Sequence, residues 1–395
     1  MMPAEVKTAS LSFLEAARHQ GPVQGHTHTL YKYPARFSPI FARSAIESFT
    51  APGESVLDPF VGGGTTIVEA RLAGRHAFGS DISSLSVFLT RTKAVALSES
   101  DLRVVSGWFE SVPDQLNIHQ PATNSRTGSF EGYDRNMPWR LRKLCEQYLG
   151  LVEDLPTERQ QRFARCVLLS CGQWAMDCRK TIPTVPEFRD ALVNTLVQAT
   201  EAMDQYRSAL LQSEKTHGHR TSFRCIQNSA TDLQGDSFGR SLSKAKLVLT
   251  SPPYPGVHVL YHRWNVRGRR ESPAPFWLAN CLDGHGSTHY TLGNRHQNQL
   301  SDYFTGIQNA FTSVRDLLAD DGLVVQLVAF STPDWQLDAY LKAMQDSGFY
   351  EIMPGELGIP CSGRLWRPVP GRRWYSVIRG EIPSSNELVL FHRKR

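Results

Sequence analysis

A chain of 395 residues with 41% hydrophobic and 21% charged residues carries enough apolar material for a large core, which excludes global disorder. The formal charge of +5 is a mild basic excess, compatible with a polyanionic partner without demanding one. Seven cysteines, scattered without a CxxC pair or a Cys/His quartet at zinc spacing, point to reduced thiols in a cytoplasm and to no metal site. Cys166, Cys171 and Cys178 fall in a helical apolar stretch and are expected as buried structural thiols. No charged-then-apolar signal pattern opens the chain, and no apolar run reaches the roughly 18 residues of a membrane span, so neither export nor a membrane partner is expected.

In chain order, residues 8–19 form a short helix, and HTHTLYKYPARFSPIFARSAIESF runs from an extended, proline-containing segment into a helix over 39–49. SVLDPFVGGGTTIVEARLAG reads as a strand at 55–58, a Gly-rich turn and a helix ended by Gly74. HAFGSDIS is a second strand ending in an acid, followed by a helix through SSLSVFLTRTKAVAL. Residues 98–220 switch to helical periods and read as a helical insertion, broken by a Gly/Ser/Asn-rich stretch at 121–136. Strands return at FRCIQNSATDL (223–233) and KLVLTSPPYP (246–255), and an aromatic, Arg-rich irregular stretch fills 256–300. A helix over 300–319 leads through DDG into the buried strand GLVVQLVAFS, and a helix follows at 335–347. RWYSVIRG and NELVLFHRK close the chain as an antiparallel pair. The alternation predicts a doubly wound α/β sheet, mostly parallel, with segments 1–97 and 221–395 forming one catalytic domain around the insertion.

In such sheets ligands bind beyond the C-terminal strand ends, where DPFVGGGTT, SDIS, SATD and TSPPYP all fall. Three glycines between strand and helix let a ligand approach the backbone, but neither P-loop nor GxGxxG spacing follows. Asp58 before the turn suits a cationic or amino group and would repel a pyrophosphate. Asp81 suits two vicinal ribose hydroxyls, or else it or Ser83 caps the next helix. Asp232 is placed to accept from an adenine amino group or stands idle in a polar loop. Together these acids outline a pocket for a nucleoside with an amine-bearing tail, which S-adenosylmethionine fits better than NAD.

The strand LVLTS ends in Ser251, Pro252, Pro253 and Tyr254. Neither proline donates, so the elbow is rigid and cannot be consumed by the sheet. The Ser251 hydroxyl and the Pro252 carbonyl are acceptors suited to the two N–H bonds of an exocyclic amine, and Tyr254 offers a face on which a base can stack.

DPFVGGGTT, SDIS and TSPPYP in this order resemble the S-adenosylmethionine-dependent amino-methyltransferases of DNA, the N4-cytosine and N6-adenine enzymes of the class I (Rossmann-like) methyltransferase fold. HTLYKYPARFSP resembles the stretch that family closes over the methionine end of its cofactor. The resemblance covers residues 26–95 and 223–395 and implies that Tyr33, Pro34, Asp58, Pro59, Phe60, Gly62, Gly64 and Thr65 line the cofactor. It further implies Asp81 at the ribose, Asp232 at the adenine, and Ser251, Pro252, Pro253 and Tyr254 around the target base. Serine at the first position of the tetrapeptide is commoner in the N4-cytosine enzymes, which favours cytosine over adenine. Double-stranded DNA is then the partner, and a restriction endonuclease is a candidate partner.

Two features depart from the family pattern, the helical block at 98–220 and the Arg/Trp-rich loop after Tyr254, and either could read DNA. Arg263, Arg267, Arg269 and Arg270 are the candidates for phosphate contact at a site that extrudes its target nucleotide. IPCSG resembles the Pro-Cys of C5-cytosine enzymes, yet Cys361 follows the fifth strand and not the fourth, so it is not taken as a nucleophile. The rival readings are an N6-adenine or RNA amino-methyltransferase, a silent DNA-binding subunit and, most weakly, a dehydrogenase.

Overall fold

The computed structural model describes residues 13–19, 21–33, 38–121, 130–233, 244–255, 263–268, 270–284, 290, 292, 300–368 and 386–395. Its strands are β1 Ser55–Asp58, β2 His76–Asp81, β3 Phe223–Gln227, β4 Ala245–Thr250, β5 Trp264–Val266, β6 Arg270–Ser272, β7 Leu318–Val328, β8 Phe349–Ile352, β9 Leu365–Pro368 and β10 Asn386–Lys394. The main sheet runs β3-β2-β1-β4-β7-β10-β8, with β9 paired to β10 off that path. β3, β2, β1, β4 and β7 are mutually parallel, while β10 is antiparallel to both β7 and β8. A parallel sheet that steps outward from β1 in both directions, with one reversed strand inserted before the last, is the class I methyltransferase arrangement.

Alternation along the strands builds the two faces. Val56, Leu247, Leu249 and Val325 pack on one side with Phe41 and Ile46 of α1 (Pro39–Phe49) and Ile67 of α2 (Thr65–Leu72). Leu57, Val248, Val324 and Leu388 pack on the other with Ile307 and Phe311 of a late helix and Tyr340 of another. Strands buried on both faces read as continuous apolar runs, which is why VLD, LVLT and LVVQLV were visible without strict period-two polarity.

α3 (Ser84–Ala94) follows β2, and the helical block then forms α4 (Glu99–Phe109), α5 (Trp139–Val152), α6 (Glu158–Met176) and α7 (Val185–His217). α7 opens with a capping box at Thr184 and Glu187 and stops at Gly218 in the left-handed region, so its 33 residues have defined ends. It lies on the first motif helix, with Tyr206 donating to the Ala94 carbonyl and Arg71 reaching Tyr206. Its end leads directly into β3, so the block also supplies the crossover from β2 to β3.

The stretch over 256–300 is more ordered than expected where it is described. β5 and β6 form a hairpin, and α8 (Ala274–Leu278) is fully buried. Trp264, Val266, Phe276 and Leu278 join the same apolar cluster as Tyr31, Leu85, Phe88, Leu168 and Phe188. A Cβ on Gly172 would lie 2.7 Å from the Trp264 ring, which shows how closely α6 approaches the hairpin. The helical block and the Arg/Trp-rich segment are thus one packed body against the N-terminal segment and α3.

Two expectations change, and a third falls on residues that are not described. The helix α9 (Leu300–Arg315) ends before 319, and β7 begins at Leu318, so DDG lies within a strand and not in a turn. Its acids are held at the strand's exposed start by Lys246 to Asp321 and by Lys394 to Asp320. RWYSVIRG lies outside the described residues, and among those described NELVLFHRK pairs with β7, β8 and β9. Cys166 and Cys171 are buried as expected, whereas Cys178, beyond the end of α6, is exposed. α10 (Pro333–Asp346) matches its expected helix within two residues. Among the described residues no helix is long and apolar enough to cross a membrane, and no cluster of three His, Cys, Asp or Glu residues could hold a metal.

Candidate active site

Parallel pairing puts the C-terminal ends of β3, β2, β1 and β4 on one edge, and the sequence motifs sit there. Asp58, the last residue of β1, is buried and accepts from Thr66 Oγ1 and from Thr250 Oγ1, both at 2.7 Å, and from the Phe60 amide at 3.1 Å. It therefore ties α2, β4 and the turn together, using three of a carboxylate's roughly four acceptor positions. Burial raises its pKa to about 6. Asp58 consequently offers a ligand negative charge more than a free oxygen. Pro59 and Thr65 are buried within the turn, while Phe60 and Gly62 keep partial exposure toward the edge.

Gly64 has φ of 79°, caps α2 and would place a Cβ 2.8 Å from Thr90 Oγ1 and 3.1 Å from Thr90 Cα. Only glycine takes that backbone without strain and leaves room for α3. Asp81 Oδ2 accepts from the Gly62 amide and Oδ1 from the Ser83 amide, each at 2.9 Å, and enclosure raises its pKa to about 6. The cap of α3 is Ser83, which accepts from the Ser86 amide. Asp81 braces two turns, and its carboxylate stays at the strand end beside them.

The N-terminal segment lies across the Gly-rich turn. Tyr33 packs over it, 3.3 Å from a Cβ placed on Gly62 and 3.1 Å from one placed on Gly63, and its hydroxyl lies 2.9 Å from Ser86 Oγ. Pro34 lies outside the described residues. The segment is anchored from below, since Thr27 donates to the Lys93 carbonyl and His28 Nε2 meets Glu69 Oε1 at 2.6 Å. Lys93, itself buried, donates to the Gly63 carbonyl at 3.0 Å. Lys93, Thr66, Thr250 and the His28–Glu69 pair were not singled out in the sequence. The His28–Glu69 pair spans 41 residues, and no local pattern marks it.

Asp232 ends the short 3-10 turn Ala230–Asp232 after β3, exposed, with its carbonyl accepting from Asn228 Nδ2 at 2.9 Å. The elbow follows β4 directly. Ser251 is partly exposed, Pro252 is buried, and the Pro253 carbonyl accepts from the Tyr303 hydroxyl at 2.7 Å. Ser251 Oγ donates to Tyr254 Oη at 3.1 Å, and Tyr254 Oη donates to Glu387 Oε1 at 2.7 Å. Tyr254 as a residue is only 9% exposed, with its hydroxyl bonded inward to buried Glu387. Glu387, from the start of β10, is a further residue that sequence reading missed.

The hairpin carries the basic candidates. Arg263 Nη2 meets Asp283 Oδ2 at 2.6 Å, and Nη1 meets Glu271 Oε2 at 3.5 Å, so its charge is matched within the chain and it is less available to a phosphate than its neighbours. Arg267 and Arg270 are exposed at the tip, with φ positive at Arg267 and Gly268, and Arg269 lies outside the described residues. The hairpin is held to the end of α6: the Asn265 amide donates to Asp177 and the Cys178 amide to the Asn265 carbonyl. Exposed Trp174 of α6, with the Arg179 guanidinium 4.6 Å from its ring centre, lies beside this junction.

The residues on this edge fit S-adenosylmethionine by their chemistry. A carboxylate at the end of β2 would suit hydroxyls, a buried carboxylate at the end of β1 would suit an amine-bearing tail, and the Tyr33 ring lies closely over the glycine turn.

A family model described as a DNA methylase (N6_N4_Mtase) matches residues 13–87, which include Tyr33, Asp58, the Gly-rich turn and Asp81. Type II methyltransferase M.MvaI of Kocuria varians is 28% identical over 117 residues, 29% of this chain and 26% of that protein. Type II methyltransferase M.BsoBI of Geobacillus stearothermophilus is 24% identical over 267 residues, 58% of this chain and 49% of that protein. The chain thus spans a quarter to a half of the length of these relatives. Among solved structures, TrmN of Thermus thermophilus aligns at 13% identity and a TM-score of 0.34 over 93% of this chain and 52% of that one, and the fold assignment rests on strand order. The Gly-rich turn and SDIS fall within the residues the family model matches, whereas the elbow at 251–254 lies beyond them, and over the matched part this chain is similar to the S-adenosylmethionine-dependent DNA amino-methyltransferases.

Proposed function

We propose that this chain transfers a methyl group from S-adenosylmethionine to the exocyclic N4 amino group of cytosine in double-stranded DNA, the target base being flipped into the edge between the Gly-rich turn and the elbow. The observation that carries it is that Ser251 directly follows β4, the strand next to β1, so that its hydroxyl comes at the same edge as the cofactor turn. The cofactor supplies the methyl as an electrophile on a sulfonium. Asp81 would hold the ribose, Asp232 the adenine, and Tyr33 with Phe60, Gly62 and Gly64 the methionine portion. Ser251 and the Pro252 carbonyl would accept the two amine N–H bonds, which aims the nitrogen lone pair at the methyl in line with its leaving bond. Pro253, held by Tyr303, keeps the elbow rigid, and the exposed part of the Tyr254 ring would bound the base.

Arg267 and Arg270 at the hairpin tip, with Trp174 and Arg179 at the junction below, form the surface we assign to the DNA backbone and the displaced strand. The helical block and hairpin share one core, so they would read DNA as a unit. A restriction endonuclease partner would follow if the modification serves self-protection.

Mass spectrometry of nucleosides from DNA of cells expressing this chain, beside cells expressing Ser251→Ala, tests the reading. N4-methylcytosine in the first and not the second is expected. N6-methyladenine would overturn the choice of base, and no mark in DNA would move the search to RNA or to a silent DNA-binding subunit.

A further inference from the structure

We propose that Glu387 is the terminal proton acceptor of the transfer, reached from the target amine through Ser251 and Tyr254. The inference rests on the amino-methyltransferase reading above. A serine at the head of the elbow can orient an amine but cannot keep its proton, because a hydroxyl is far too weak a base. The structure supplies a continuation. Ser251 Oγ, Tyr254 Oη and Glu387 Oε1 form a continuous hydrogen-bonded chain with steps of 3.1 and 2.7 Å.

The direction of that chain follows from its last member. An ionised carboxylate only accepts, so Tyr254 must give its proton to Glu387, and Tyr254 Oη is then the acceptor for the Ser251 proton. Ser251 is left presenting lone pairs to the site, the polarity an N–H donor requires. Glu387 is 6% exposed and Arg367 Nε, 3% exposed on neighbouring β9, lies 3.4 Å from its other oxygen, which provides the counter-charge that a buried carboxylate needs. Among the described residues, the charged and titratable groups that face the relay include Arg367 on β9 and Tyr303 on α9, the latter beside the elbow.

The sheet explains the position. β10 is the reversed strand, so its N-terminal end, and not its C-terminal end, reaches the edge where β4 and β7 stop, with Leu388 opposite Val328. Glu387, the residue before, falls beside the elbow for that reason.

The step balances as follows. The amine nitrogen forms its bond to the methyl carbon as the methyl–sulfur bond breaks, the electron pair staying on sulfur. The nitrogen then loses one proton to Ser251 Oγ, Ser251 passes its own to Tyr254 Oη, and Tyr254 passes its own to Glu387, which ends as a neutral acid. Glu387 touches no substrate and acts as a positioning and proton-accepting residue through the other two.

Single-turnover transfer of labelled methyl to DNA from cells lacking this chain tests the relay in Tyr254→Phe, Glu387→Gln and the double variant. Each single variant should slow transfer by about 10²-fold, the low end of general-base contributions, with cofactor and DNA affinities kept. The double variant should be no slower than the slower single, since both cut one chain, and the solvent deuterium effect of the unmodified protein should shrink in both. Singles near the unmodified rate, or losses that multiply in the double, would overturn the relay while leaving the function intact. If the unmodified protein transfers no methyl to DNA, the functional reading fails and the relay with it. Should Glu387→Gln fold poorly, Tyr254→Phe, which deletes one oxygen, carries the test alone.

Discussion

The backbone amide of Gly62 donates to Asp81 Oδ2 at 2.9 Å, so the glycine turn after β1 is fastened to the acid that ends β2. The two sites expected to hold opposite ends of one cofactor are therefore a single mechanical unit, and Asp58 adds β4 to it through Thr250.

That coupling has a pH signature. Asp81 has its pKa raised to about 6 by desolvation, which outweighs the hydrogen bonds from Ser83 and Gly62. Only the carboxylate accepts from two ribose hydroxyls, so cofactor affinity should weaken as pH falls through about 6 and level off above 7. Asp81→Asn should bind at least tenfold more weakly at pH 7.5, about 1.4 kcal/mol, and lose most of the pH dependence. Calorimetric titration between pH 5 and 8 checks both, and an unchanged profile in the variant would remove Asp81 from the ribose. For folding the sign is the reverse of the usual carboxylate case. Asp58 and Asp81 bind protons more readily folded than unfolded, so their contribution to stability declines as pH rises from about 4 to about 6.

Gly64→Ala should destabilise the fold by about 1–3 kcal/mol, from the strained positive φ together with the contact on Thr90. The clash is with the Thr90 Cα as well as its hydroxyl, so removing the hydroxyl in Thr90→Ala should not restore full stability. Thermal denaturation of the single and double variants decides this, and full rescue by alanine would locate the conflict in the side chain alone.

Glu69 is 4% exposed and sits between His28 Nε2 and Arg43 Nε, at 2.6 and 2.7 Å. Its pKa is lowered because the His28 and Arg43 contacts outweigh desolvation, so its stabilising contribution is present above the unfolded value near 4.5 and lost as pH falls below it. Glu69→Ala leaves His28 buried without that partner and should cost about 3 kcal/mol. The affected part should be the segment that carries Tyr33, so amide hydrogen exchange at residues 26–33 ought to rise more than at β7.

Arg267→Ala and Arg270→Ala should each weaken DNA binding uniformly across sequences and reduce the salt slope of log K by about 0.9. Arg263→Ala should leave that slope unchanged and instead lower thermal stability, because it uncovers Asp283 and Glu271. Binding of a duplex oligonucleotide at several salt concentrations separates the two roles.

Much of the site was legible because its motifs are local. A strand, three glycines and a helix need about ten consecutive residues, and an acid at a strand end is visible in SDIS as soon as the strand is. The elbow at 251–254 was legible for the same reason, since two prolines must end a strand wherever they occur. Pairings across long separations were not. Lys93 reaches Gly63 over 30 residues, Thr250 reaches Asp58 over 192, and Tyr254 reaches Glu387 over 133. Nothing in NELVLFHRK distinguishes the glutamate from a solvated strand-end charge.

Arg263 and Arg267 show the limit from the other side. In RWNVRGRR they are equivalent arginines beside a tryptophan, and composition alone makes both candidates for phosphate. Pairing Val266 with Arg270 sends Arg267 to the hairpin tip and leaves Arg263 at its base, within reach of two carboxylates. The sequence by itself determined the elements around the motifs, the mostly parallel sheet and the turns that carry the cofactor and target motifs, because hydrophobic period, glycine and proline act within a few residues. Only the tertiary structure decided which charges stay free and which are matched, and which acid completes the elbow. Those outcomes depend on strand register and on the reversal of β10, and both are set by burial of the whole sheet rather than by any neighbouring residue.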